Sequence, residues 1–70
     1  MTQSTIRTIS KNLKSVRAQK GLTQHELADK AGVSANYYAR VERAEVTPSI
    51  ETLEKVIKAL GVKSSEILPF

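Results

Sequence analysis

Apolar residues recur along this chain at the three- and four-residue spacing of helices, and no run shows the alternation of a half-buried strand. Ile9, Leu13 and Val16 stand at i, i+4 and i+7, with Thr8 able to cap a helix there and Gly21 able to close it just past Lys20. Ile50, Leu53, Val56, Ile57 and Leu60 form the longest apolar stripe, opened by Ser49 and stopped by Gly61, with Val62 packing behind it. Ser64 can cap a last short helix, SEIL, before Pro69 and Phe70. Between these lie two further short helices, so the pattern predicts an all-α bundle of five. Residues 1–8 read as a flexible N-terminal arm, and residues 9–70 as the folded domain.

The central stretch, LTQHELADKAGVSANYYARVE from Leu22 to Glu42, carries the most information. Thr23 and Glu26 have the spacing of a capping box, and Leu27, Ala28 and Ala31 follow on one helical face. Gly32 ends this helix, because glycine takes a left-handed backbone without a Cβ clash. Ser34 caps the next helix only two residues later, which leaves no room for an antiparallel hairpin. The pair must cross steeply, as a helix-turn-helix. In the second helix Tyr38 and Val41 point one way, while Asn36, Arg40 and Arg43 at i, i+4 and i+7 point the other. One amide and two guanidiniums are the groups that pair bidentately with adenine and guanine edges. A basic helix alone reads as a solvated face. The short turn, with the small residues Ala28 and Gly32 at the crossing, favours DNA recognition instead. Beyond Arg43 or Ala44, the segment Glu45 to Pro48 forms a connection that proline keeps from continuing as helix.

Composition narrows the partners. Seventy residues make one small domain, and such a chain buries only about 60% of its unfolded surface, so its core is marginal without good packing or a partner subunit. There are no cysteines to brace it, no apolar run near the roughly 20 residues of a membrane span, and no signal-peptide core at MTQSTIRTIS. A cytoplasmic protein is expected. The net charge is +4, with eight Lys/Arg against three Asp/Glu in residues 1–43 and three against four in residues 44–70. A basic excess in the half that holds the two-helix unit points to a polyanion, nucleic acid ahead of acidic lipid. Arg17, next to Val16, falls at the core edge and needs a carboxylate, for which Glu42 is the best candidate. His25 is the sole histidine. No Ser-His-carboxylate set, glycine-rich phosphate loop or metal cluster accompanies it, so neither an enzyme nor a cofactor or metal is expected.

With these residues in place, the chain resembles the Cro and phage-repressor (Xre) family of helix-turn-helix domains across about residues 9 to 68. The likeness rests on LKSVRAQKGLTQHELADKAGVS, on Val41-Glu42-Arg43, and on PSIETLEKVIKALGV. It implies a compact five-helix, lambda-repressor-like bundle that binds a double-stranded DNA operator as a dimer and represses or activates transcription. By the same resemblance Ala35, Asn36 and Arg40 meet base edges. Gln24, Ser34, Tyr37 and Arg43 meet the DNA backbone, and Arg17 with Glu42 forms a buried ion pair. Helices four and five, with Leu68 and Phe70, are the expected homodimer surface.

The chain also departs from the family pattern. Ala44 stands where glycine is common, and alanine at positive φ costs about 1 kcal/mol, so another loop path is expected there. Glu45 is no phosphate ligand, so backbone contacts are not extended into residues 44–47. Ala35 offers only a methyl, and Tyr38 replaces a commoner aliphatic residue with a hydroxyl that needs a partner. The competing function is a protein-binding adaptor or antitoxin-like module with its basic face solvated. No ligand-sensing domain or small-molecule ligand is evident, which makes regulation by concentration the expectation.

Overall fold

A computed structural model describes residues Met1–Phe70. It contains four α-helices, α1 (Gln3–Gln19), α2 (Gln24–Ala31), α3 (Ala35–Glu42) and α4 (Ile50–Leu60), followed by a 3-10 turn at Ser64–Glu66. Every α-helix starts at a hydroxyl residue whose oxygen accepts the free amide three positions on: Thr2 from Thr5, Thr23 from Glu26, Ser34 from Tyr37 and Ser49 from Thr52. These caps satisfy amides that have no partner within the helix.

Two boundaries differ from the sequence expectation. The segment 1–8 is helix from Gln3 onward rather than an arm, because Thr2 and not Thr8 supplies the cap. Ile6, only 6% exposed, extends the apolar stripe one turn before Ile9 and anchors the added turn. The Thr8 hydroxyl instead donates back to the Ser4 carbonyl at 3.1 Å. The bundle also has four α-helices and not five. Ser64 begins the last turn instead of capping it, and Glu66 accepts the Lys63 amide at 3.1 Å. Three residues close to Pro69 cannot propagate an α-helix.

The core joins Leu13 and Val16 of α1, Leu27 and Ala28 of α2, Tyr38 and Val41 of α3, Leu53, Val56 and Leu60 of α4, and Ile67. α2 packs between α3 and α4, and α3 also lies on α1. Ala28 is fully buried, and its small side chain lets neighbouring backbones come close. Ile50, expected in the buried stripe, is 62% exposed at the first position of α4. Two long-range hydrogen bonds tie α3 and the C-terminal turn to α1: Ser10 Oγ donates to the Val41 carbonyl at 2.6 Å, and Asn12 Nδ2 to the Ile67 carbonyl at 2.9 Å.

α3 ends in a left-handed cap built on alanine. Ala44 has φ 59°, its amide donates to the Val41 carbonyl at 3.0 Å, and the Glu45 amide donates to the Arg40 carbonyl at 2.9 Å. This is the Schellman pattern. The expected alternative path is therefore not taken. Two cap bonds, and Ser10 on the same Val41 carbonyl, hold alanine where it is strained by about 1–2 kcal/mol. Ala44→Gly relieves that strain at the cost of a more flexible unfolded chain, and should raise stability by up to about 1 kcal/mol in urea denaturation. A loss of stability in that variant would mean that the cap is not left-handed.

Candidate nucleic-acid interface

The candidate site is the outer face of α2, the turn and α3. The Thr23–Glu26 capping box sets the start of α2, with the Glu26 amide 3.0 Å from Thr23 Oγ1 and the Thr23 amide 2.8 Å from Glu26 Oε1. That backbone donation, with the Thr23 side chain, lowers the Glu26 pKa. Gly32 turns the chain at φ 74°, and the Val33 amide returns to the Ala28 carbonyl at 3.0 Å. Ser34 then starts α3, so the turn is three residues long. On α3, Tyr38 and Val41 are 0% and 2% exposed. Asn36, Arg40 and Arg43 lie on the solvent side, and Ala35 and Tyr37 are half-buried at the edge. The helix thus presents an amide and two guanidiniums one above another.

The angle of α3 is set by a carboxylate at its inner end. Glu42 has a side chain only 2% exposed and receives Arg17 Nε at 2.6 Å and Nη2 at 3.2 Å, a bidentate pair between α1 and α3. Arg17 Nη1 also donates to the Leu22 carbonyl at 2.7 Å, and Gln24 Nε2 donates to Glu42 Oε1 at 3.0 Å. The carboxylate therefore fastens α1 and α2 to α3, and the arginine it holds also fastens the α1–α2 connection. Burial pushes the Glu42 carboxyl up, but the donors from Arg17 and Gln24 outweigh it and hold the group below its ordinary value of 4.5. Glu42 in turn raises the Arg17 pKa by its hydrogen bond. The Tyr38 hydroxyl lies close to this pair, and burial raises its pKa, yet it makes no hydrogen bond of regular geometry.

The structure treats the other candidate residues unequally. Gln24 is committed to Glu42 through one amide hydrogen, which leaves its second amide hydrogen and its carbonyl free. Ser34 Oγ accepts the Tyr37 amide at 3.0 Å, so only its hydroxyl proton remains to be donated. Arg43 is not free either, because Nε and Nη2 reach the Glu45 carboxylate at 2.7 and 3.3 Å. Arg40 Nε lies 3.7 Å from the same carboxylate. The Arg43 hydrogen bonds hold Glu45 below the usual carboxylate range, and Glu45 raises Arg43 in return. Sequence reasoning missed Glu45 as a partner of the arginines, and Ser10 as a strut under α3. Ser10 had a signal, since it lies at i+4 from Ile6 and three before Leu13, on the buried stripe. No group of three His, Cys, Asp or Glu residues could hold a metal ion, and no helix is long and apolar enough to cross a membrane.

Comparison with known proteins gives a consistent result. A helix-turn-helix family model matches residues 13–67. The chain is 43% identical over 61 residues to the immunity repressor protein of Bacillus phage phi105, covering 87% of this chain and 42% of that one. It is 41% identical over 61 residues to the transcriptional regulator SinR of Bacillus subtilis, covering 86% of this chain and 55% of that one. Among solved structures, the restriction-modification controller protein C.AhdI from Aeromonas hydrophila superposes with a TM-score of 0.86 at 28% identity, covering 90% of this chain and 96% of that one. The chain therefore spans about half or less of the two sequence relatives and nearly all of the controller protein.

The buried pair can be tested without any ligand. Glu42→Ala leaves Arg17 buried without its counter-charge and should destabilise the fold by about 3–5 kcal/mol near neutral pH. The folded-state pKa of Glu42 is depressed, so its contribution is complete above the unfolded value of 4.5 and is lost as pH falls through the lower folded value. Urea denaturation across that acidic window should show wild-type stability declining, and a shallower decline in Glu42→Gln. A melt unaltered by Glu42→Ala would show that the pair does not hold α3.

Proposed function

The chain belongs to the Xre-type helix-turn-helix family, and we propose that it is a sequence-specific double-stranded DNA-binding transcriptional regulator that lays α3 in the major groove. One observation carries this reading. Asn36 and Arg40 stand exposed in a row on α3 while Tyr38 and Val41, on its other side, are locked into the core. A helix held this rigidly by its inner face can present its outer face in one register. Asn36 suits adenine, and the Arg40 fork suits guanine. Ala35 can meet a thymine methyl group. Around them, the second amide hydrogen of Gln24, the hydroxyl protons of Ser34 and Tyr37, and the Arg43 guanidinium are donors of the kind that hold phosphates. The relatives named as repressors and regulators support the regulatory role. The place of action is the cytoplasm, where such regulators meet DNA.

A single helix reads only a few base pairs, so the proposal includes a dimer on two half-sites about 34 Å apart. Its surface is the C-terminal part of the fold. There Ile50, Leu53, Ile57 and Leu68 line an apolar hollow of about 160 Å³ between α4 and the last turn. Ile50 and Phe70 are 62% and 73% exposed, as suits residues covered by a second copy.

Selection from random-sequence DNA should recover a two-fold symmetric site. On that site Asn36→Ala and Arg40→Ala should each cost about 1–3 kcal/mol, with almost no loss on a random duplex, as read by fluorescence anisotropy. Equal losses on both duplexes would mean that these residues do not read bases.

A further inference from the structure

Glu45 stands in a place that does not favour an acid. The cap on Ala44 sets its amide on the Arg40 carbonyl at 2.9 Å, beyond the C-terminal end of α3. Helix carbonyls make that end negative, so a carboxylate there is opposed by the backbone. What holds it are the two outward arginines. Arg43 grips both carboxylate oxygens at 2.7 and 3.3 Å, and Arg40 Nε stands 3.7 Å from one of them. Glu45 is the only carboxylate paired with either arginine. Two oxygens held in a guanidinium fork have the form in which arginine meets a DNA phosphate.

We propose that Glu45 is an internal stand-in for a DNA phosphate, an autoinhibitory contact that occupies Arg43 at the end of α3 in the free protein and must yield before the DNA backbone takes that arginine. The proposal rests on α3 being the DNA-binding helix. The geometry favours competition over bracing. The fork is closed on Arg43, whereas Nε of Arg40, the base-facing arginine, lies beyond hydrogen-bond reach. All three side chains are about half exposed, so water weakens the pair and lets it open without disturbing the core. The contact carries no sequence information. It lowers affinity for every duplex alike and makes binding less dependent on salt than the arginine count suggests.

The test compares wild type, Glu45→Gln and Glu45→Asp on a random-sequence duplex and on the duplex recovered by selection, across a range of salt. Removing the charge frees about one phosphate contact. Glu45→Gln should therefore bind both duplexes roughly five- to tenfold tighter near 0.1 M salt, with a log–log salt slope steeper by about 0.9. Glu45→Asp keeps the charge and should keep the wild-type slope. Without DNA, the Arg43 Nε–H of Glu45→Gln should exchange with water faster than in wild type by NMR. Unchanged affinity and slope on the random duplex, or unchanged exchange, would overturn the proposal. So would weaker binding of Glu45→Gln to the selected duplex alone, which would make Glu45 a brace for Arg40. A selection that recovers no sequence, with wild type that does not bind the random duplex, would instead remove the DNA-binding reading on which the proposal stands, a result separable from the NMR outcome.

Discussion

A carboxylate that is almost out of water must be met by donors, and in this small fold that requirement fixes the relative placement of three helices. Glu42 is reached by Arg17 from α1 and by Gln24 from α2, while Arg17 also takes the Leu22 carbonyl of the intervening connection. Apolar contacts alone would let an eight-residue helix slide or roll at modest cost, because they are non-directional. The bidentate pair removes that freedom, since rolling α3 would leave a charge buried without its partner. Ser10 adds a second directional tie at the Val41 carbonyl, one residue away. The stiffness of the outward face is a consequence of these inward bonds.

The same carboxylate links structure to recognition. Gln24 is both a ligand of Glu42 and a donor at the outer edge of α2, so the position of one candidate backbone contact depends on the group that positions α3. Arg17 and Glu42 are thus positioning residues, which need not touch DNA to matter for it. At the other end of α3 the polarity is reversed: the Glu45 carboxylate is exposed and draws Arg43 and Arg40 toward itself. One acid orders the helix from beneath, and the other competes for its cations from outside.

Much of this was legible in the residues, for local reasons. Ser and Thr caps three residues before their partners act within one turn and leave a local signature, as at Thr23, Ser34 and Ser49, and so do the glycines that close α2 and α4. Thr2 and Thr8 both have the right chemistry for the first cap, and only the burial of Ile6 chooses between them. Arg17 could be matched to Glu42 across 25 positions because a charge at the core edge demands its opposite. The bonds of Ser10 to Val41 and Asn12 to Ile67 span 31 and 55 positions and obey no such demand: the apolar stripe marks Ser10 as buried, but nothing local names the partner of either residue. At Ala44 the intrinsic strain is offset by two local cap bonds, to the Val41 and Arg40 carbonyls, and the Ser10 tie to the Val41 carbonyl exists only once α1 and α3 have packed.

The outward row of α3, held from behind by Glu42, is the surface proposed to meet DNA. Titrating the selected duplex into isotopically labelled protein and following backbone and side-chain NMR shifts tests it most directly. The largest changes should fall on Gln24, on Ser34 to Arg43 and on the side-chain amide of Asn36, with α4 little affected. Changes concentrated on α4 and the C-terminal turn, with Asn36 and Arg40 unmoved, would contradict it.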